Sequence, residues 1–134
     1  MMGTGRELFR NEYVVVTLEQ NGMLLRMIRT AVPYPNTQSL EDTFDQIFEA
    51  SFPYRQRGWT LLSDQRLAPG RNDPAFEQAM ARIRLQLYPL FRKRAIWVQS
   101  KVGVLHISRL AKEDGVSRLV STDEAEILAY LAQE

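Results

Sequence analysis

A β-hairpin is the strongest local prediction that this sequence allows. Tyr13–Leu18 is rich in β-branched residues and is followed by Asn21-Gly22 and by a second apolar stretch, Met23–Arg29. Asn-Gly between two such runs predicts a tight turn, because primed turns need positive φ at both central residues. Val32–Asn36 contains two prolines, which cannot donate to a β-ladder, so the second strand ends there.

Helices and strands alternate along the rest of the chain. Helices are predicted to begin after a cap at Ser39, at Pro74, at Val104 and at the capping sequence Ser121–Glu124, because capping residues, prolines and apolar residues at helical spacing mark these positions. Strands are predicted at 59–63, 95–99 and 118–120. The resulting order predicts an α/β fold, with a mixed, mostly parallel sheet, an N-terminal β-hairpin and about four helices.

Length and composition favour a single domain. A chain of 134 residues with 45% apolar residues can fill one core. We expect residues 1–12, which are polar and contain glycine, to be a loosely ordered N-terminal segment, and residues 13–134 to form the domain. Cysteine is absent, and no stretch approaches the roughly 18 apolar residues of a membrane span. These features favour a cytoplasmic protein without disulfides.

Charge gives no indication of a nucleic-acid partner. The chain has 17 basic and 16 acidic residues, for a formal net charge of +1. The basic run Arg92–Arg94, together with Arg82 and Arg84, has no interleaved aromatic platform. We interpret it as a positive helix end that faces solvent, with contact to nucleic acid or acidic lipid as the alternative.

The sequence does not indicate catalysis. His106 is the one histidine, and no serine has the elbow setting of an activated nucleophile. We expect His106 to pack or to lie exposed on the third helix. No histidines and carboxylates have the spacing of metal ligands, and Glu41-Asp42 and Asp123-Glu124 are typical of helix caps. The prediction is a non-enzymatic protein with no cofactor and no metal.

The first candidate site is the loop Arg66–Asp73, which connects a central strand ending in Asp64 to a helix N-terminus. Open α/β sheets usually bind their ligands at this place, and arginines at a helix start can receive a carboxylate or a phosphate. The alternative is an ordinary connection with an Asn or Asp cap. The predicted partner-binding residues are Asp64, Arg66, Arg71, Asn72 and Asp73.

The element order and the segment Trp59–Arg66 resemble STAS domains. The closest likeness is to the bacterial STAS-like group related to the sporulation anti-anti-sigma factor, and through it to CRAL-TRIO-type lipid carriers. It covers Tyr13 to the C-terminus. In the anti-anti-sigma family, a strand ending in Asp-Leu leads to Asp-Ser-[Ser/Thr]-Gly, whose first Ser is phosphorylated. Asn72-Asp73-Pro74 matches that stretch, with Asp73 at the place of the phosphorylated Ser, so the resemblance implies no Ser phosphorylation switch there.

Three functions follow as expectations. The leading one is a regulatory protein–protein interaction module in signalling, whose partner the sequence does not identify. The alternative is a carrier of a small molecule or lipid, in which aromatic residues line a cavity instead of filling a core. Those residues are Phe44, Phe48, Phe52, Tyr54 and Trp59. The third is a homodimer formed through the hairpin as a sheet edge.

Overall fold

The computed structural model describes residues 5–71, 73–105, 109 and 115–134. Six strands form one sheet in sequential order. They are β1 (Arg6–Arg10), β2 (Val14–Glu19), β3 (Leu24–Arg29), β4 (Thr60–Asp64), β5 (Lys93–Trp97) and β6 (Leu119–Ser121). The helices are α1 (Thr37–Ser51), α2 (Pro74–Leu87), a helical stretch at 101–105 termed α3, and α4 (Glu124–Ala132).

The sheet combines an antiparallel half with a parallel half. Strands β1, β2 and β3 pair antiparallel, and β3 to β6 pair parallel. This arrangement confirms the predicted α/β class, with its mixed, mostly parallel sheet, N-terminal hairpin and four helices. No helix in the described part of the chain is long and apolar enough to span a membrane.

The hairpin turn is longer than the predicted two residues. Glu19 pairs with Leu24, so four residues connect the strands. Asn21 and Gly22 have φ of 56° and 87°, in the left-handed region expected of them, and Gln20 joins them at 53°. Three successive left-handed residues therefore reverse the chain.

Residues 6–10, which belong to the segment 1–12 that we expected to be loosely ordered, form strand β1. Residues 6–10 pair with β2, and the strand places Leu8 and Phe9 against the core. The sequence pattern does not indicate this strand, because three of its five residues are charged. β1 also covers the hairpin edge on which the homodimer expectation rested, and its own charged side chains disfavour pairing with another chain.

The cap of the first helix lies three residues before the predicted Ser39, because α1 begins at Thr37. The Asn36 side chain accepts a hydrogen bond of 2.8 Å from the Ser39 backbone N–H, so asparagine is the cap. Asparagine caps at least as well as serine. The predicted start at Pro74 agrees with the structure, and α4 begins at Glu124, within the predicted capping sequence Ser121–Glu124. The helical stretch α3 begins at residue 101, three residues before the predicted Val104.

The core has two layers, one on each face of the sheet. Helices α1 and α2 cover the face that carries Leu61, and α4 covers the opposite face, which carries Leu62. Successive β4 residues are therefore buried on opposite sides, which explains the continuous apolar run of this strand. Trp59, just before β4, is fully buried, and its Nε1 donates to the Leu90 backbone oxygen at 2.8 Å.

The basic run Arg92–Arg94 is not the helix end facing solvent that we expected: Lys93 and Arg94 belong to β5, and the arginines bind nearby backbone oxygens. Arg92 donates to the backbone oxygens of Leu131, at 2.8 Å, and of Gln133 beyond α4. Arg94 donates to the Phe91 oxygen at 2.8 Å. These guanidinium groups therefore satisfy carbonyls that the ends of helical segments leave open.

Candidate functional site

A cavity of about 490 Å³ lies between the sheet and helices α1 and α2. The β4–α2 loop, of which residues 65–71 and Asp73 are described, contributes to one side. Residues 98–100 and Gly103, which follow β5, contribute to another. The cavity thus opens near the carboxyl ends of the parallel strands, where α/β sheets commonly bind ligands.

The cavity has an apolar wall and a cationic rim. The apolar wall consists of Val14, Met27, Phe44, Leu61, Phe76, Met80, Ile83, Leu87, Ile96 and Val98. The charged residues that line it are Arg29, Arg66, Arg71, Glu77, Arg84 and Arg118. A ligand in this space would meet hydrocarbon over most of its surface and positive charge at its polar end.

Asp64 and Arg66 form a bidentate ion pair at the end of β4. Arg66 donates from Nε to Oδ1 at 3.0 Å and from Nη2 to Oδ2 at 2.9 Å. The guanidinium carbon lies 3.4 Å from the centroid of the Trp97 ring. The hydrogen bonds to Asp64 raise the pKa of Arg66. The buried Asp64 therefore fixes Arg66 at the cavity rim.

Arg71 joins the loop to two other segments. Its Nε donates to Asp73 Oδ1 at 2.6 Å and its Nη1 to the Tyr34 backbone oxygen at 2.5 Å. Its guanidinium also lies over the Phe76 ring, 4.3 Å from the centroid. The hydrogen bond from Arg71 lowers the pKa of Asp73. Asp73 holds the N-cap position of α2 through its backbone, but its side chain makes no capping bond.

Four of the five predicted site residues lie together at this end of the sheet. Arg66 and Arg71 line the cavity, and Asp64 and Asp73 hold those two arginines. Asn72 lies outside the described residues, as does His106. The aromatic set divides, because Phe44 lines the cavity whereas Trp59 is buried in the core and Phe52 is exposed. Tyr54 lies beneath the Arg6 guanidinium, and Phe48 packs against the core.

Sequence reasoning missed Arg29 and Tyr34. Arg29 ends β3, and Tyr34 stands in the proline-containing segment that the sequence indicated only as a strand end. The Arg29 guanidinium lies 4.5 Å from the Tyr34 ring centroid. It donates from Nε to the Tyr13 oxygen at 3.0 Å and from Nη2 to the Val32 oxygen at 2.9 Å. Burial lowers the pKa of Arg29.

The Tyr34 side chain is only 4% exposed, and its hydroxyl has no hydrogen-bond partner among the described residues. The ring centroid lies 4.6 Å from that of Tyr13 and 6.0 Å from that of Phe76. Burial raises the pKa of Tyr34 to about 12. Tyr34 thus joins an aromatic cluster with Tyr13 and Phe76 and packs against the guanidinium of Arg29.

A search for metal-binding clusters and comparisons with known proteins add no further assignment. The described ranges contain no group of three His, Cys, Asp or Glu residues that could hold a metal ion. No protein family, no curated protein and no solved structure matches this chain.

Proposed function

We propose that this chain is a non-enzymatic binding domain that holds a small, largely apolar molecule in the cavity beside the β4–α2 loop. The observation that carries the proposal is a preformed apolar space of about 490 Å³ at the carboxyl end of the sheet. Ligand-binding cavities commonly measure about 300 to 1,000 Å³ and combine an apolar wall with a few polar groups.

Two ion pairs at the cavity rim support a role in binding and not in catalysis. Asp64 is held by Arg66 and Asp73 by Arg71, so these two carboxylates are not placed as bases beside a nucleophile, whereas Glu77 also lines the cavity without an ion pair among the described residues. Arginine is a poor proton donor at neutral pH, because its guanidinium group stays protonated in proteins. The proposed role is therefore carriage or sensing in the cytoplasm.

Filling the cavity tests the proposal. Met80 lines the cavity from α2, whereas Leu85 on the same helix is exposed and lies outside it. Native mass spectrometry of protein from its own cells should find a bound small molecule in the wild type and in Leu85→Trp. Met80→Trp should lose it. An apo mass in the wild type, with no shift in Tm from a panel of apolar compounds, would refute the proposal.

A second proposed function is a regulatory protein-interaction module, with STAS-like kinship as its wider context. It is favoured by exposed apolar side chains beside the cavity-lining segments: Leu67 is 61% exposed, Val102 76% and Leu105 72%. Leu67 belongs to the β4–α2 loop, and the other two to α3. Under this proposal, Asp73 and its Arg71 partner replace a phosphorylated Ser, so docking does not depend on a kinase.

Charge reversal at the loop tests the second function. Arg71→Glu should reduce the recovery of a copurifying protein, as quantified by mass spectrometry, and Leu67→Ser should do the same. The double variant Arg71→Glu with Asp73→Arg keeps an ion pair at this place. It therefore tests whether lost recovery comes from the changed charge pattern and not from a damaged fold. Arg82→Glu, on the exposed face of α2, is the control. Equal recovery by all folded variants would show that the loop does not dock that protein.

A further inference from the structure

We propose that the ligand of this cavity is an apolar carboxylic acid, bound as the carboxylate with its charged end against Arg29. This inference rests on the proposed function as a binding domain for an apolar molecule and adds the chemistry of the ligand's polar end. It assigns Arg29 the role of a specificity-determining residue.

The charge of the cavity favours an anion. Five arginines line it, whereas Glu77 is the one acidic residue among its described lining. Two of the arginines, Arg66 and Arg71, are matched by Asp64 and Asp73. Arg29 adds a further positive charge to this lining, which disfavours an amine and attracts an anion into a space walled by hydrocarbon.

Arg29 has no counter-charge among the residues that the structure describes. Among the described residues, no carboxylate lies within 4.0 Å of it. Its Nε and Nη2 donate to the backbone oxygens of Tyr13 and Val32, which are neutral. The described residues offer no acceptor to Nη1. Since a half-buried charge without a partner is costly, an anionic ligand would be bound partly by relieving that cost.

The neighbours of Arg29 place an apolar chain next to the charge. Val14 faces Arg29 across the β2–β3 pair, and Met27 lies two residues earlier on β3, so all three side chains point to the same sheet face. Val14 and Met27 are buried and line the cavity. The Tyr34 ring beneath the guanidinium holds its plane. An apolar wall that ends at the guanidinium of Arg29 matches a molecule with one charged end.

The geometry favours a carboxylate over a phosphate. Phosphate groups are usually held by several donors together, often at a glycine-rich helix N-terminus. Nη1 of Arg29 has no acceptor among the described residues, and one such nitrogen suits a singly charged group. The test therefore includes an alkyl phosphate as a competing outcome.

The binding test compares ligands with the same alkyl chain: decanoic acid, decanol, decylamine and decyl phosphate, each below its aggregation concentration. At neutral pH we expect the acid to bind about tenfold more tightly than the alcohol, and the amine not to bind. Arg29→Gln should reduce the ratio of acid to alcohol affinity to about one. Arg82→Gln, which removes an exposed arginine outside the cavity, should keep the wild-type ratio.

A second measurement needs no variant and so does not depend on the folding of Arg29→Gln. NMR titration of decanoate labelled with ¹³C at the carboxyl carbon gives its pKa in the wild-type complex. We expect the bound pKa to lie below that of the free acid, because Arg29 stabilises the charged form. An unchanged or raised pKa would overturn the inference.

The outcomes separate this inference from the function on which it rests. Binding of neither the acid nor the alcohol would refute the apolar binding site itself. Equal binding of both, or an acid preference that survives Arg29→Gln, would leave the binding site standing and refute the carboxylate anchor. Tighter binding of decyl phosphate than of decanoate would replace the carboxylate with a phosphate.

Discussion

Arg71 donates a hydrogen bond of 2.5 Å to the backbone oxygen of Tyr34, a residue 37 positions earlier in the chain. This bond ties the β4–α2 loop to the segment that follows β3. The same guanidinium pairs with Asp73 and lies over Phe76 at the start of α2. One side chain thus holds together three segments that border the cavity.

Replacing Arg71 by Gln should loosen this border. The change removes the charge-assisted hydrogen bond to the Tyr34 oxygen and leaves Asp73 without its cation. We therefore expect the free energy of unfolding to fall by about 1 to 3 kcal/mol. Urea unfolding measures the loss, and amide hydrogen exchange should show faster exchange in residues 65–71. Arg82→Gln, at an exposed pair with 3.5 Å between charged atoms, should change stability by less than about 0.5 kcal/mol. Equal effects at both positions would contradict this account.

Tyr34→Phe should leave the protein equally stable or more stable. A buried hydroxyl without a partner gives up its bonds to water and gains none, so its removal should add up to about 1 kcal/mol to the free energy of unfolding. Thermal and urea unfolding of the purified variant test this. A loss above about 1 kcal/mol would indicate that the hydroxyl has a partner in solution.

The same tyrosine should make the protein sensitive to alkali. Its pKa is about 12 in the folded state and about 10 in the unfolded chain. The unfolded chain therefore loses this proton first, and the stability from Tyr34 is full below pH of about 10 and lost as the pH rises towards about 12. Two pKa units correspond to about 2 to 3 kcal/mol. Urea midpoints measured across this range should fall more steeply for the wild type than for Tyr34→Phe.

Local rules made much of the fold predictable. Asn21-Gly22 indicated the hairpin, Pro74 the start of α2 and Asp123 the start of α4, since each signal depends on residues within one turn of the chain. The Asp123 side chain does cap its helix, accepting from the Ala125 N–H at 2.9 Å. Strand β1 was not predicted, because its sequence is charged and weakly patterned and its formation depends on pairing with β2.

The site was predictable only in part, because it is assembled by tertiary contacts. The Arg66–Asp73 loop could be located from its place between a strand and a helix. Arg29 and Tyr34 could not, since their contact joins a strand end to a proline-containing segment that carries no motif. The cavity itself depends on how α1 and α2 pack on the sheet, which no local pattern records.

Arg26 should be a main link between α4 and the sheet. Its side chain is 13% exposed and pairs with Glu19 at 2.9 Å and with Glu124 of α4 at 2.7 Å. Arg26→Met leaves two carboxylates without their cation, so we expect a loss of about 1 to 3 kcal/mol in urea unfolding. Glu124→Gln should cost less than about 1 kcal/mol, because that carboxylate is more exposed. Arg10→Met, at the exposed pair with Glu7, is the control.

Two glycines should respond in opposite ways to alanine. Gly22 has φ of 87°, and a Cβ there would lie 2.3 Å from Gln56 Nε2, so Gly22→Ala should cost about 1 to 2 kcal/mol through backbone strain and displacement of Gln56. Gly70, in the β4–α2 loop, has no such φ, and a Cβ there would meet nothing within 4 Å. Gly70→Ala should therefore stabilise the protein by up to about 1 kcal/mol, since it restricts the unfolded chain. Urea midpoints decide both. A large loss at Gly70 would mean that the loop visits a backbone conformation that only glycine permits, and that the cavity rim changes shape.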